Sequence, residues 1–201
     1  MDVNTSKLAV TIGARIRRER LARQWTLNRL AEAAGVSRRQ VINVEQGEAN
    51  PSIGTLLGLS DALGIGLPAL VEPPSTQAVK ITLAGEAATL WSGEAGGHGR
   101  LLAGTQPPDV VELWDWRMFP GESHQSKAHQ GGTHELLHVH TGTLTLRVAS
   151  ESFELRPGDA ISFTGDVPHS YANHGSEPTQ FSLTVYEPQV GAAHGRKDTH
   201  E

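Results

Sequence analysis

Residues 26–47 read TLNRLAEAAGVSRRQVINVEQG, a pattern typical of two short helices joined by a tight turn. Thr26 and Ser37 each stand directly before a run with helical apolar periodicity, where a side-chain hydroxyl can cap the helix. Gly35 can adopt the left-handed conformation that ends the first helix, and the small Ala31 lets the second helix approach. The stretch therefore predicts a helix-turn-helix unit.

The flanking sequence predicts further helices around this unit. Leu8, Ile12 and Ile16 recur every four residues before it, which indicates an amphipathic helix. Pro51 and Gly64 stand near the start and the end of another apolar helix after it. The interior between the two central helices is expected to hold Leu30, Ala34, Val36, Val41 and Val44.

About residues 8–71, including the later NPS, TL and ALG elements, resemble the lambda-repressor-like (Xre-type) DNA-binding domain. The resemblance implies that the start of the second helix enters the major groove of DNA. Base contacts are expected from Arg38, Arg39, Gln40 and Asn43, and phosphate contacts from Thr26, Asn28 and Ser37. Which of the two arginines reads a base stays open. The alternative is a helical bundle whose basic face is only solvated.

Composition and charge divide the chain into two parts. Residues 1–70 hold nine Lys/Arg against six Asp/Glu, whereas residues 71–201 hold eight against sixteen and all ten histidines. The absence of cysteine excludes disulfides and thiolate zinc sites. No apolar run approaches the roughly 20 residues that span a bilayer. The first residues also lack the pattern of a secretory signal, so we expect a cytoplasmic protein without a membrane partner.

We expect a helical domain at residues 1–71, a Pro-containing linker at 72–78, a second domain at 79–188 and a flexible tail at 189–201. The second domain has apolar residues at a period of two, with Gly, Pro and Asn turns between the runs. This pattern predicts an all-β sandwich or barrel. Its strands are expected within 79–83, 110–119, 135–140, 143–148, 152–158, 160–165 and 180–187.

The turns of the second domain resemble the two motifs of the cupin superfamily, a small double-stranded β-helix barrel. The positions that match are His129, Glu135 and Gly142 in the first motif and Gly158, His169 and Asn173 in the second. The positions that depart are Ser123, Gly131, Thr164 and Asp166. Among these departures, Gly131 stands where the family has its second histidine. The fold class expected for the whole chain is thus an all-α head followed by an all-β barrel.

The resemblance implies a metal site at His129, Glu135 and His169. Two imidazoles and a carboxylate can hold a divalent ion such as Zn, Fe, Mn or Ni, with positions left open for water or a ligand. His124, in the loop before the strand, is a candidate fourth ligand. The alternative is a metal-free barrel in which these groups line a polar pocket.

Strand alternation separates the remaining candidates. His134, His138 and His140 lie on the face opposite Glu135, so we expect packing or interface positions for them. A ligand pocket inside the barrel is expected to involve Trp114, Trp116, Leu137 and Asn173. The two tryptophans share one face of a strand, where they form either an aromatic wall or simply the barrel core.

A basic helical head before an acidic barrel resembles the Xre–cupin regulators. The resemblance implies a transcription regulator that binds a double-stranded DNA operator as a homodimer and responds to a small-molecule effector in the barrel. The alternative is a metal-dependent cupin enzyme, an oxygenase or isomerase, that carries a DNA-binding head. A weaker alternative is an antitoxin or nucleoid protein.

Overall fold

The computed structural model describes residues 3–48, 51–71 and 79–191, which form two compact units. The expected linker at 72–78 and most of the expected tail, residues 192–201, lie outside the described residues. The first unit contains the helices α1 (Val3–Ala22), α2 (Leu27–Ala33), α3 (Arg38–Glu45), α4 (Ile53–Leu63) and α5 (Leu67–Val71). Within these ranges, no helix combines the length and the apolar character needed to cross a bilayer.

The predicted helix caps are confirmed. The hydroxyl of Thr26 accepts the N–H of Arg29 at 3.2 Å, and that of Ser37 accepts the N–H of Gln40 at 3.2 Å. Gly35 has a φ of +64° in the turn between the two helices. The helix-turn-helix unit predicted from local chemistry is therefore present, and only the short α5 was not expected.

Close backbone contacts hold the helices together. A Cβ atom at Gly13 would lie 2.2 Å from the carbonyl oxygen of Val44, so α1 meets α3 at a distance that only glycine allows. The expected interior residues Leu30, Val41 and Val44 are buried. Ala34 and Val36 are only half-buried, contrary to expectation, because they lie in the turn after α2 and not on its inner face.

The second unit runs from Ile81 to Thr105 and from Asp109 to Pro188, and it is built from two antiparallel sheets. The six-stranded sheet has the order β1-β2-β3-β10-β5-β8 and the four-stranded sheet the order β4-β9-β6-β7. The strands are β1 (Ala88–Ser92), β2 (His98–Gly104), β3 (Val110–Met118), β4 (Ser123–Ser126), β5 (His134–Thr141), β6 (Leu144–Val148), β7 (Glu151–Leu155), β8 (Ala160–Thr164), β9 (His169–Ala172) and β10 (Thr179–Glu187). In β3 and β10, alternate residues are buried along the whole strand, and these residues form much of the interior.

Two kinds of strand prediction were wrong. Residues 79–83 alternate like a strand but pair with no other described strand, because alternation alone supplies no partner. The strands β1, β2, β4 and β9 were missed. Some of these strands are only four or five residues long, and some contain several Gly, Ser or His residues. Their sequences therefore lack the runs of β-branched residues that identify a strand.

Candidate functional site

The N-terminal turn of α3 presents a polar surface to solvent. Arg38, Arg39 and Gln40 are exposed, while Val41 and Val44 on the same helix are buried against its neighbours. Asn43 follows Arg39 by four residues, so the two side chains lie on one face of the helix. Asn28 and the capping residue Thr26 are also exposed, at the start of α2. The structure thus leaves the predicted DNA-contacting residues accessible, with Asn43 half-buried.

Gln40 has a second role that the sequence analysis missed. The backbone N–H of Ser37 donates to the Gln40 side-chain oxygen at 2.8 Å, which completes a reciprocal capping box. Bidentate recognition of adenine uses both ends of the amide, and here one of the two lone pairs of its oxygen already accepts the Ser37 N–H. The spacing Ser-x-x-Gln is the sequence signal that predicts this bond.

A buried ion pair holds α3 to α1. The Nε and Nη2 atoms of Arg20 lie 2.6 and 2.8 Å from the two carboxylate oxygens of Glu45. Nη1 of Arg20 donates to the carbonyl oxygen of Trp25 at 2.9 Å. Only 10% of the Arg20 side chain and 7% of the Glu45 side chain are exposed. The pair therefore fixes the end of α3 relative to α1 and to the loop before α2.

In the barrel, His129, Glu135 and His169 come together as the sequence resemblance implied. Oε1 of Glu135 lies 3.1 Å from Nε2 of His129 and 3.1 Å from Nε2 of His169. The three ligand atoms all lie within 4.8 Å of one another. Glu135 and His169 are buried, and 10% of the His129 side chain is exposed. These residues form a group that could hold a metal ion.

The donor atoms around this group fit a cation. Nδ1 of His169 lies 2.8 Å from the carbonyl oxygen of Val167, which places the ring proton on Nδ1 when that bond forms. In the neutral ring Nε2 then carries a lone pair 3.1 Å from Oε1 of Glu135, whereas a protonated Nε2 donates to that oxygen. A lone pair that faces a carboxylate oxygen is favourable only with a proton or a metal ion between them.

Gly165 keeps space open beside the same oxygen. A Cβ atom at this position would lie 3.1 Å from Oε1 of Glu135 and 3.2 Å from the His129 ring. Gly131, in the slot of the missing histidine, is exposed and would present a Cβ to open space. A side chain at position 165 would therefore crowd the metal-binding group, whereas position 131 has room for one.

The electrostatics of the group favour an ionised carboxylate. Burial opposes ionisation of Glu135, but hydrogen bonds and charge from His129 and His169 lower its pKa to about 2. The pKa of His169 is lowered by burial and raised by Glu135, with a net upward shift. The Tyr171 hydroxyl donates to Oε2 of Glu135, and burial and that carboxylate raise the pKa of Tyr171 well above its usual value. Tyr171 was missed, although its position two residues after His169 predicts the same inward face.

The predicted pocket residues lie in the barrel interior. Trp114, Trp116 and Leu137 are at most 3% exposed. The Trp116 ring stacks on Phe181 with centroids 5.9 Å apart, so the two tryptophans belong to the packed core. The Asn173 amide donates to the carbonyl oxygens of Met118 and Glu177, and its oxygen accepts the N–H of Gly175. These bonds tie the Asn173 amide to the backbone of its own loop and to the end of β3.

His124 does not join the metal-binding group. Its ring lies 5.1 Å from Trp116 and stacks parallel to Tyr171, and burial lowers its pKa to about 4. The three histidines predicted to be packing or interface residues, His134, His138 and His140, are all exposed on the outer face of β5. The alternation argument for β5 is confirmed.

Comparison with known proteins agrees with both halves of this description. Residues 16–70 match the family model for a helix-turn-helix, and residues 114–186 match the model for a cupin domain. The HTH-type transcriptional regulator SutR of Escherichia coli (strain K12) is 27% identical over 182 residues, which cover 90% of this chain and 98% of SutR. The chain belongs to the helix-turn-helix transcriptional regulators that carry a cupin domain.

Two further comparisons extend this result. The chain is also 40% identical over 62 residues to the immunity repressor protein of Bacillus phage phi105. The matched residues cover 31% of this chain and 43% of the repressor. The crystal structure of an HTH_3 family transcriptional regulator from Vibrio cholerae has a TM-score of 0.75 at 23% identity. It covers 92% of this chain and 99% of the other. The Vibrio structure shows that both share the two-domain fold.

Proposed function

We propose that this regulator changes its affinity for operator DNA when a divalent metal ion, alone or with a small-molecule effector, occupies the barrel. The observation that carries the proposal is the convergence of His129, Glu135 and His169, whose ligand atoms all lie within 4.8 Å of one another around an ionised carboxylate. His129, Glu135 and His169 would hold the ion as two imidazoles and one carboxylate, a donor set suited to Zn and Fe and usable by Mn or Ni. When bound, such an ion supplies a positive charge with open positions that an oxygen-containing effector can occupy.

On DNA, we propose that some residues of α3 contact bases while others stabilise the helix. Arg39 is exposed and Asn43, on the same face of the helix, is half-buried, so they are our candidates for base contacts, with Arg38 at the edge of the groove. Gln40 serves chiefly to stabilise the helix start, because its side-chain oxygen is in the capping box. Thr26, Asn28 and Ser37 would contact phosphates and thereby set the position of the head.

Replacing Arg39 by Ala is expected to lower specific operator affinity by about 10- to 100-fold and to relax the base preference at one position. The reason is the loss of a bidentate base contact, which is typically worth about 1–3 kcal/mol. Selection of bound sequences from random DNA, followed by titration at fixed salt, measures both effects. Arg156→Ala, an exposed arginine of the barrel, is the matched control and should change neither. An unchanged sequence preference in Arg39→Ala would show that α3 does not recognise the bases of the operator through Arg39.

We further propose that the regulator acts as a homodimer in the cytoplasm. One small head contacts few bases, whereas two heads on half-sites about one DNA turn apart reach typical specific affinities. The effector then acts by favouring one arrangement of the two heads over another. We propose sensing and not catalysis for the barrel, on the support that SutR, which matches over nearly its whole length, is a regulator.

A further inference from the structure

Two short segments that lie outside the strands of the barrel belong to the helical unit. They are Gln106–Pro108, in the loop between β2 and β3, and residues 189–191, which follow β10. The two segments contact each other, since the N–H of Val190 donates to the carbonyl oxygen of Pro108 at 2.7 Å. The Val190 side chain is 4% exposed. We call residues 188–191 the strap, because its first residue belongs to the barrel unit and the others belong to the helical unit.

The last residue of the strap lies against the end of α4. Gly191 has a φ of +83°, and a Cβ atom there would lie 2.6 Å from the carbonyl oxygen of Gly64. A Cβ atom at Gly64 would in turn lie 2.7 Å from Cα of Gly191, so this approach requires glycine at both positions. Gly64 ends α4, and the preceding carbonyl oxygen, that of Leu63, accepts Nη2 of Arg23 at 2.5 Å. The strap therefore meets the head where α4 is bonded to the residue that follows α1.

The first residue of the strap lies beside the loop that carries His129. The side-chain amide of Gln130 donates to the carbonyl oxygen of Pro188 at 3.1 Å. A Cβ atom at Gly132 would lie 3.2 Å from Cγ of Pro188. Gln130 directly follows His129, and the N–H of Thr133 donates to the Gln130 carbonyl oxygen at 3.1 Å. A loop that supplies a candidate metal ligand thus contacts the start of the strap.

The backbone in the middle of the strap is strained. Gln189 has a φ of +54°, a left-handed conformation that residues other than glycine seldom adopt. Such a conformation costs free energy and persists only while the surrounding contacts impose it. Release of the strap from the head relieves this cost. The docked and released states are therefore close enough in free energy for a change in the barrel to shift the balance between them.

We propose that the strap couples occupancy of the metal site to the DNA-binding head. His129, when it serves as a metal ligand, keeps residues 129–133 in one position, and this favours the state in which Gly191 is docked on Gly64. Docking then changes the end of α4 and with it the operator affinity of the head. The docked and released straps are the two states that metal and DNA favour to different extents, as coupling between separate sites requires. This inference rests on the proposed regulatory function and names the segment that carries the regulation.

Hydrogen exchange at the Val190 amide, measured by NMR on the full chain, follows the docking without DNA. Zinc is expected to slow this exchange at least about 5-fold, because the amide leaves the Pro108 carbonyl oxygen only when the strap opens. Glu135→Gln should show no slowing at a zinc concentration that saturates the wild type. An exchange rate that zinc leaves unchanged, in wild-type protein shown by calorimetry to bind zinc, would overturn the inference.

Gly191→Ala tests the other consequence, on DNA selected by the wild-type protein. The added Cβ displaces the strap from the Gly64 carbonyl oxygen, so zinc is expected to change the operator affinity of this variant less than about 2-fold. Gly85→Ala is the matched control, since Gly85 has a φ of +86° but a Cβ there meets nothing within 4 Å, and it should respond to zinc as the wild type does.

Gln130→Ala removes the bond at the other end of the strap and is also expected to reduce the response to zinc. Its control is Gln125→Ala, at an exposed position of β4. Far-UV circular dichroism checks the fold, and Gln130→Ala decides the matter if Gly191→Ala disturbs the head. Folded Gly191→Ala and Gln130→Ala variants that respond fully to zinc would overturn the strap while the regulatory function stands. A wild type whose operator affinity ignores zinc would overturn the regulatory function and the strap with it.

Discussion

Glu45→Ala is expected to lower the free energy of unfolding of the helical head by about 3 kcal/mol. This is the lower end of the range for breaking a buried ion pair, since a tenth of the Arg20 side chain still meets solvent. The loss leaves the Arg20 guanidinium buried and without its carboxylate partner, while Nη1 still donates to the carbonyl oxygen of Trp25. Urea unfolding followed by the helical circular dichroism signal measures the change.

Two comparisons show whether the effect comes from the buried pair. Glu19→Ala breaks the Arg23–Glu19 pair, whose side chains are 31% and 21% exposed, and is expected to cost at most about 1 kcal/mol. Replacing both Arg20 by Met and Glu45 by Leu is expected to recover much of the stability, because no unpaired charge remains. A Glu45→Ala head as stable as the Glu19→Ala head would refute the anchoring role of the pair.

Glu135→Gln is expected to weaken metal binding by the barrel at least about 100-fold. The substitution keeps the shape of the side chain but removes the negative charge between His129 and His169, and ionised carboxylate is the form that binds a divalent ion. Titration of metal-stripped protein with zinc, by calorimetry, gives the affinity, and elemental analysis of the purified protein gives the occupancy. Glu154→Gln, an exposed carboxylate on β7, is the control and should behave as wild type.

Retention of full zinc affinity by Glu135→Gln would show that the ion binds elsewhere. Gly165→Ala offers an independent check, because it removes no ligand but places a Cβ 3.1 Å from the same carboxylate oxygen. We expect it to weaken binding less than Glu135→Gln does.

The helical head was predictable because its signals are local. Thr26, Ser37 and Gly35 interact only with residues within one helical turn of their own positions. The local sequence is therefore enough to predict the caps and the turn. The role of Gln40 was missed only because a base-contact role was preferred to the capping box that the same spacing indicates.

The barrel was predictable in its fold class and in its three metal-binding candidates, which the resemblance to the cupin motifs implied. The contacts that define the site were not, because they join residues far apart in sequence. Tyr171 reaches Glu135 across 36 positions, and the space at Gly165 matters only once His129 and Glu135 are folded beside it. The exposed stretch at 79–83 shows the opposite error, since a strand pattern without a neighbouring strand forms no sheet within one chain.

The most direct test of the account is the operator affinity of the full chain with and without zinc, measured on a DNA sequence selected by the wild-type protein. We expect occupancy of the barrel to change that affinity by about 5- to 150-fold, the usual range for coupled sites. The Glu135→Gln variant should bind the same DNA with an affinity that no longer depends on zinc. Equal operator affinities for the metal-loaded and metal-free wild type would contradict a regulatory role for the metal centre.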